Sequence, residues 1–390
     1  MIPYGRQDVN EDDINAVIKV LKSDYLTQGS IVPKFESAVA KYCGAKHSVA
    51  VNSATSALHI ACKALDVRSN DMVWTTPITF AASANCALYC GASIDFVDID
   101  PITYNLSVSA LTEKLIDAEK NGELPKVVIP VHLAGQSCDM KEIYNLSLKY
   151  GFKIIEDASH AIGGTYLEKK VGSCSFSDIT IFSFHPVKMI TTGEGGMALT
   201  NNSKLSEQMQ RLRSHGITRH RGEMEGQIEE GAWYYQQIDL GFNYRMTDIQ
   251  AALGLSQLSR LEEFVAKRHS LAKRYNSILK DMPITLPFQS SYCYSSFHLY
   301  IIRIPKTESL NRREVFERLC YHGIGVNVHY IPVYRHPYYR KFGFDYSNFP
   351  ESESYYSQAI TIPLFPTLTE EQQDIVAKVI TIPSGHQGLF

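Results

Sequence analysis

"HSVAVNSATSALHIACKALD", residues 47–66, decides the class of fold. "HSVAVNS" reads as a strand, and "ATSALHIACKALD" as a helix that begins at the strand's end with no loop between them. The same alternation continues downstream. "DMVWTTP" (71–77), "SIDFVDID" (93–100), "KVVIPVHL" (126–133) and "KIIEDAS" (153–159) are strands. "FAASANCALYCG", "VSALTEKLIDAEK" and "MKEIYNLSLKYG" are the helices between them. "DITIFSF" (178–184) and "GGMALT" (195–200) add two more strands. Strands and helices that alternate over this length call for an α/β fold, a large parallel or mixed sheet covered by helices on both faces.

Upstream, "EDDINAVIKVLKS" and "VPKFESAVAKYCG" have helical spacing. Downstream, "MTDIQAALGLSQLSRLEEFVAKRHSLAKRYNSIL" (246–279) reads as one long helix, with Met246, Ile249 and Leu253 on its apolar face. "SSFHLYIIRI" and "GVNVHYIPV" then look like strands, and "NRREVFERLCYHG" and "EEQQDIVAKVI" like helices. The expectation is a large domain over 1–250 and a smaller C-terminal α/β domain over 251–390. The Tyr-rich segment 330–356 should be a packed loop.

The chain has 390 residues, 44% of them hydrophobic and 20% charged, in the ordinary range of a globular protein. A net charge of −3 offers no basic footprint for nucleic acid or an anionic membrane. No apolar run approaches the roughly 20 residues that span a bilayer. The start, "MIPYGRQDVNEDD", lacks the basic and apolar regions of a signal peptide. The eight cysteines are scattered and include no CxxC pair, which suits reduced, mostly buried thiols in the cytoplasm. No histidine or cysteine spacing suggests a metal site.

Open α/β sheets bind ligands at the C-terminal ends of their strands. Ala54 and Thr55 open a helix there, where free amides and the helix dipole favour a phosphate. Asp157 ends a strand, Ser183 lies at the end of "DITIFSF", and Lys188 follows in "FSFHPVKMITTGEGG" (182–196). Each alone has an ordinary structural explanation, capping above all. Together they supply an anion cradle, a carboxylate and an amine. Pyridoxal phosphate requires that set: a lysine for its Schiff base, a phosphate cup and an anion at the pyridine nitrogen. Phe80 in "PITFAASAN" is available to stack on the ring. The glycines of "TTGEGG" suit a tight strand connection beside a cofactor, with Glu194 in a structural role.

"YLTQG", "NSATSAL", "TPITFAASAN", "VDIDPITYNL", "EDASHAIGG", "FSFHPVKMITTGEGG" and "GFNYRMTDIQAALGLSQL" resemble the DegT/StrS family of nucleotide-sugar aminotransferases. "HLYIIRI", "GVNVHYIPV" and "PLFPTLTEEQQDIV" extend the likeness towards the C-terminus. The resemblance implies fold type I of the pyridoxal-phosphate-dependent aminotransferases. It makes Lys188 the Schiff-base lysine and Asp157 the partner of the pyridine nitrogen. Ala54, Thr55 and Ser183 become the phosphate cup, with Phe80 and Ser159 on opposite faces of the ring. Asn243 matches a residue that reaches the phosphate region of a second subunit, so a homodimer with shared sites is implied. Tyr4, the loop of Asp24, Tyr25, Leu26 and Thr27, and the stretch of Val328, His329, Tyr330 and Ile331 match positions that meet the sugar nucleotide.

"IPYGRQ", "WYYQQIDLGFNYRM" and "SSFHLY" are most similar to family members that aminate C4 of a UDP-linked 4-keto-6-deoxy-N-acetylhexosamine in pseudaminic acid biosynthesis. The implied reaction is a two-stage transamination with L-glutamate as donor, 2-oxoglutarate as co-product and Lys188 as proton carrier. The alternative within the family is another nucleotide-linked 3- or 4-ketosugar. Dehydratases of this fold carry histidine in place of the lysine, so Lys188 favours transamination. A cofactor-binding regulator is disfavoured by the lack of a helix-turn-helix or basic stripe. A dinucleotide oxidoreductase is disfavoured because neither GxG, in "TGEGGMA" or "HGIGVNV", opens a helix after the first strand.

Overall fold

Strand and helix alternate from His47 onward in the computed structural model, which describes residues 1–226, 231–306 and 311–381. Two helices come first, α1 (Glu11–Leu21) and α2 (Ile31–Cys43). Then follow β1 (His47–Val51), α3 (Ala54–Ala64), β2 (Met72–Thr75), α4 (Ala82–Tyr89) and β3 (Ser93–Phe96). The run continues with α5 (Val108–Asn121), β4 (Val127–Ile129), α6 (Met140–Tyr150) and β5 (Lys153–Asp157). A short ribbon, β6 (Thr165–Tyr166) and β7 (Lys169–Lys170), precedes β8 (Ile179–Ser183), β9 (Gly196–Thr200) and α7 (Ser203–Leu212).

Seven of these strands form one sheet in the order β1-β9-β8-β5-β4-β2-β3. The pairs β3/β2, β2/β4, β4/β5 and β5/β8 are parallel, while β9 runs antiparallel to both β8 and β1. The sheet is therefore mixed. Every residue of β8 and β9 is buried, as continuous apolar strands covered on both faces must be. Because β9 alone is reversed, its first residue lies at the same sheet edge as the last residues of β1, β2, β4, β5 and β8. That edge carries the site.

Helix α3 is capped by Ser53, whose side chain accepts from Ser56 N–H, and all its residues from Ser56 to Cys62 are buried. Gly196 shows why the edge needs glycine. A Cβ there would lie 2.4 Å from Ser53 C and 2.5 Å from Ala54 N, inside the turn that starts α3.

Beyond α7, a two-residue ribbon of β10 (Ile217–Thr218) and β11 (Gln236–Gln237) leads to α8 (Asp248–Leu258) and α9 (Leu261–Ile278). The single helix expected over 246–279 is thus two. Arg260 sits at the break and turns back to Asp8 O and to Asp13 of α1, while Ser259 Oγ takes the Ser256 carbonyl. The break lets α8 pack on α1 and α2 and sends the end of α9 into a second core.

The remaining elements are β12 (Cys293–Tyr294), β13 (Tyr300–Arg303), α10 (Arg312–Tyr321), α11 (Pro337–Arg340), α12 (Pro350–Gln358), β14 (Ala359–Ile362) and α13 (Glu370–Thr381). Tyr275, Tyr300, Ile302, Leu319, Ile362 and Val376 belong to the second core, around the antiparallel pair β13/β14. Two readings need correction here. Only Tyr300–Arg303 of "SSFHLYIIRI" is strand. "GVNVHYIPV" is not a strand; it has an isolated bridge from Asn327 to Thr361, another from Ile2 to Ile324 just ahead of it, and its His329–Tyr330 peptide is cis. The partner β13 needs comes instead from Ala359–Ile362, a run with no strand reading in the sequence. The Tyr-rich segment is packed as expected, but it is partly helical. Its Tyr334, Tyr339 and Phe349 join the core of the large sheet.

All eight cysteines are free thiols, five of them buried. Among the described residues no helix is long and apolar enough to cross a membrane.

Candidate active site

The strand ends open into a cavity of about 1470 Å³. Most small-molecule pockets hold roughly 300–1,000 Å³, so this one has room for more than a single cofactor. Tyr4, Ala54, Thr55, Phe80, Asp157, Ser159, Ser183, Lys188, Val328, His329, Tyr330 and Ile331 all line it. Asn243 does not; it bridges Ser214 outside the cavity. Nor do Asp24, Tyr25, Leu26 and Thr27, which lie on the exposed loop after α1.

At one end is the start of α3. Ala54 and Thr55 are its first two residues, ahead of the first intrahelical bond from Ala57 N–H to Ser53 O at 3.1 Å. No acidic residue occupies this first turn, so the positive end of the helix dipole faces the cavity uncompensated. Ser183, at the tip of β8, adds a hydroxyl. The cradle suits a phosphate.

Asp157, the last residue of β5, is buried and held by two donors. Ser83 Oγ donates to Oδ2 at 2.6 Å and Ser159 N–H to Oδ1 at 3.1 Å. Ser83 in turn lies 2.8 Å from Thr79 Oγ1. A carboxylate fixed in this way, beside a lysine, suits a protonated ring nitrogen.

Lys188 follows the tip of β8, its N–H bonded to His185 O at 2.9 Å. Burial lowers its amine to about 8, against the pull of Asp157 in the other direction. An amine near 8 carries a useful neutral fraction at physiological pH and can bond to a carbonyl carbon or carry a proton. Phe80 is 63% exposed and turns its ring to the cavity, 6.3 Å from that of Tyr330. An aromatic left this open at a pocket lacks its packing partner. Phosphate cradle, fixed carboxylate, amine of lowered proton affinity and open aromatic together fit pyridoxal phosphate.

Several lining residues had no sequence signal of their own. Asn52 and Ser53 precede the helix start. Asn85 and Tyr89 lie on α4, and Gln250 on α8. His160 and His298 are buried, their rings 4.5 Å apart. Burial holds both well below the usual histidine range, and Lys188 contributes in the same direction. Ser83 could have been found: with Thr79 it makes an i, i+4 hydroxyl pair at the start of a helix. Glu194 lies exposed at the rim, and its carbonyl accepts from Thr192 Oγ1 and Gln250 Nε2.

Residues 7–381 match the DegT/DnrJ/EryC1/StrS aminotransferase family. A UDP-4-amino-4,6-dideoxy-N-acetyl-beta-L-altrosamine transaminase of Campylobacter jejuni is 40% identical, over 93% of this chain and 92% of its own. Among solved structures, Helicobacter pylori PseC, an aminotransferase of pseudaminic acid biosynthesis, is similar with a TM-score of 0.86 and 33% identity, over 97% of this chain and 98% of its own. Spr1654 of Streptococcus pneumoniae in its PMP form has a TM-score of 0.87 at 29% identity, over 97% of this chain and 98% of its own, and its PLP form is also similar.

Proposed function

Since the chain belongs to the DegT/DnrJ/EryC1/StrS aminotransferase family and uses pyridoxal phosphate, we propose that it moves an amino group from L-glutamate to C4 of a UDP-linked 4-keto-6-deoxy-N-acetylhexosamine, in the cytoplasm and towards pseudaminic acid. The observation that carries the reading is the single cavity where the helix-start cradle, Asp157 and Lys188 meet. The names of the C. jejuni and H. pylori relatives support the choice of sugar.

The cofactor, when bound, supplies an aldehyde that captures amines and a ring that accepts electrons. Ala54, Thr55 and Ser183 hold its phosphate. Asp157 accepts from the ring nitrogen, oriented by Ser83 and Ser159. Phe80 and Ser159, which line the cavity, would flank the ring. Lys188 would hold the cofactor by its aldehyde and, with its amine free, would carry the proton between the donor's α-carbon and the cofactor. In the second stage Lys188 returns a proton at C4 of the sugar. Tyr4 and the Val328–Ile331 stretch flank the space left for that sugar. We further propose a homodimer in which Asn243 reaches the partner's phosphate cradle and the Asp24–Thr27 loop meets the nucleotide.

The test is the visible spectrum of the cofactor-loaded protein before and after L-glutamate. The expected result is loss of the yellow band with release of 2-oxoglutarate, then its return on adding the UDP-4-ketosugar. A band that stays unchanged with glutamate rejects the donor. A band restored by another nucleotide-linked ketosugar and not by this one rejects the acceptor.

A further inference from the structure

Three of the eight cysteines come together behind one wall of the cavity. Cys62 lies on α3, Cys86 on α4, and Cys90 just past the end of α4. The two helices pack on each other in the core of the large sheet. The Cys62 thiol hydrogen-bonds with both Cys86 and Cys90. Cys62 and Cys86 are fully buried, while Cys90 is only half-buried.

Cys90 has a further partner. His59, one turn ahead of Cys62 on α3, hydrogen-bonds with the Cys90 sulfur. Its Nδ1 lies 3.1 Å from the Tyr244 hydroxyl, which leaves Nε2 for the sulfur. The imidazole is held between rings, Phe242 at 4.6 Å and Tyr89 edge-on at 5.4 Å. Tyr244, His59 and Cys90 thus form a line of hydroxyl, imidazole and thiol. A nucleophile beside a base that a third group orients is the arrangement that activates a thiol. Cys62 adds a second thiol at the end of the line.

The charges agree with this geometry. Cys90 caps the C-terminal end of α4, where the helix dipole opposes a thiolate. The hydrogen bond from Cys62 nevertheless lowers it below the usual thiol range, with His59 and the charge of Lys63 acting the same way against burial. Cys62 itself is pushed up by Cys86, Cys90 and burial, so it keeps its proton. Cys86 is turned aside, its thiol donating to Ser83 O at 3.3 Å. The groups that face Cys90 are Cys62, His59 and Lys63 of α3 and Tyr244, with Tyr89 beside them.

We propose that Cys90 is a peroxide-reactive thiol, with His59 as its base and Cys62 as its resolving partner. His59 Nε2 takes the thiol proton. The thiolate attacks one oxygen of hydrogen peroxide, the O–O bond breaks, and the leaving hydroxide takes the proton from His59 and departs as water. Cys90 is then a sulfenic acid. The Cys62 sulfur attacks it, the S–O bond breaks, and hydroxide leaves with the Cys62 proton as a second water. Two thiols are oxidised to one disulfide, and one peroxide is reduced to water. The new bond ties α3, whose start is the proposed cradle, to α4, whose Ser83 holds Asp157. Transamination is not needed for any of these steps.

The test uses the cofactor-loaded full chain, reduced and then freed of reductant. A single equivalent of hydrogen peroxide at about pH 6 should give a Cys62–Cys90 disulfide in the peptide mass map, reversed by dithiothreitol. The exposed Cys320 should stay a free thiol. Cys62→Ser should stop at a sulfenic acid on Cys90, trapped by dimedone. Cys90→Ser, nearly isosteric, should lose the fast consumption of peroxide. His59→Phe and Tyr244→Phe should slow that consumption at least about tenfold at about pH 6 and little at about pH 9, where an ordinary thiol near about 8.5 ionises unaided. A merely structural role would slow both alike. Oxidation of Cys320 first, a Cys62–Cys86 bond, or equal slowing at both pH values overturns the inference. The disulfide map needs no variant and carries the test even where His59→Phe fails to fold.

Discussion

Lys188 matters as an amine able to give up its proton. Burial lowers it to about 8, so its neutral fraction grows as pH rises towards that value and saturates above it. Capture of pyridoxal phosphate by cofactor-free protein needs the neutral amine. Its rate should climb roughly tenfold per unit below about pH 7 and level off above about 8. Stopped-flow absorbance would show this, and a flat profile would place the amine's titration elsewhere. Lys188→Ala should abolish transamination while circular dichroism stays unchanged; turnover near wild type in that variant would end the assignment. Ser83→Ala removes one of the two donors that hold Asp157. Hydrogen bonds to a charged group are worth about 1.5–3 kcal/mol, so cofactor affinity should fall about tenfold or more. Equilibrium dialysis giving an unchanged affinity would show that Ser159 N–H suffices.

Lys188 and Asp157 could be read from the chain because a charged residue at the end of an apolar run is costly unless something uses it. Nothing local distinguishes His160, and Ser83 shows only as the i+4 hydroxyl partner of Thr79. Their partners Ala134, Tyr330 and Asp157 lie between 26 and 170 positions away, as the pairings His160–Ala134, Ser83–Asp157 and His160–Tyr330 show.

At the scale of elements, the strand-to-helix join at β1 and α3 does most to place the site. Gly196 belongs to that join although it lies in another strand. A methyl group at this position would meet Ser53 and Ala54 backbone at 2.4–2.5 Å, with nothing flexible to yield. Gly196→Ala should cost about 1–3 kcal/mol of stability by overpacking, read as a lower urea midpoint, and weaken phosphate binding as well. Wild-type values for both would show that the turn can shift.

Element identity was legible wherever burial imposed a period, as in β1 to β5 and α3 to α6. It was less so where side chains, not periodicity, set the boundary. Arg260 ends α8 by reaching Asp8 and Asp13, a tertiary contact that no window of sequence contains. Residues 325–333 are apolar enough for a strand, but they run beside the cavity and contribute Asn327 to Ile331 to its wall.

The whole molecule is tied together by a buried cation. Arg268 of α9 is 1% exposed and donates to the carbonyls of Phe297, His298 and Leu364. Burial lowers its guanidinium to about 9. Arg268→Met would leave three carbonyls without this donor, and unfolding stability should drop by at least about 3 kcal/mol. A urea midpoint equal to wild type would show that water replaces it.

The proposed sharing of sites between two copies has its own test at this scale. Mixing Lys188→Ala with Asn243→Ala protein should recover about a quarter of wild-type activity, because half the dimers are mixed and each has one intact site. No recovery after confirmed subunit exchange would place both residues in one copy's site.

Helix α3 has one further consequence. Its start forms the proposed phosphate cradle, while its body is sunk among β1, β8 and β9 and the helices beside them. A ligand at the mouth of such a helix is a clamp on the centre of the sheet. Binding to the folded state alone adds about 2.7 kcal/mol when the ligand stands at a hundred times its dissociation constant. Inorganic phosphate, with no ring and no aldehyde, should then raise the melting temperature by itself. The melting curve of this protein would thus double as a gauge of how full its cofactor site is.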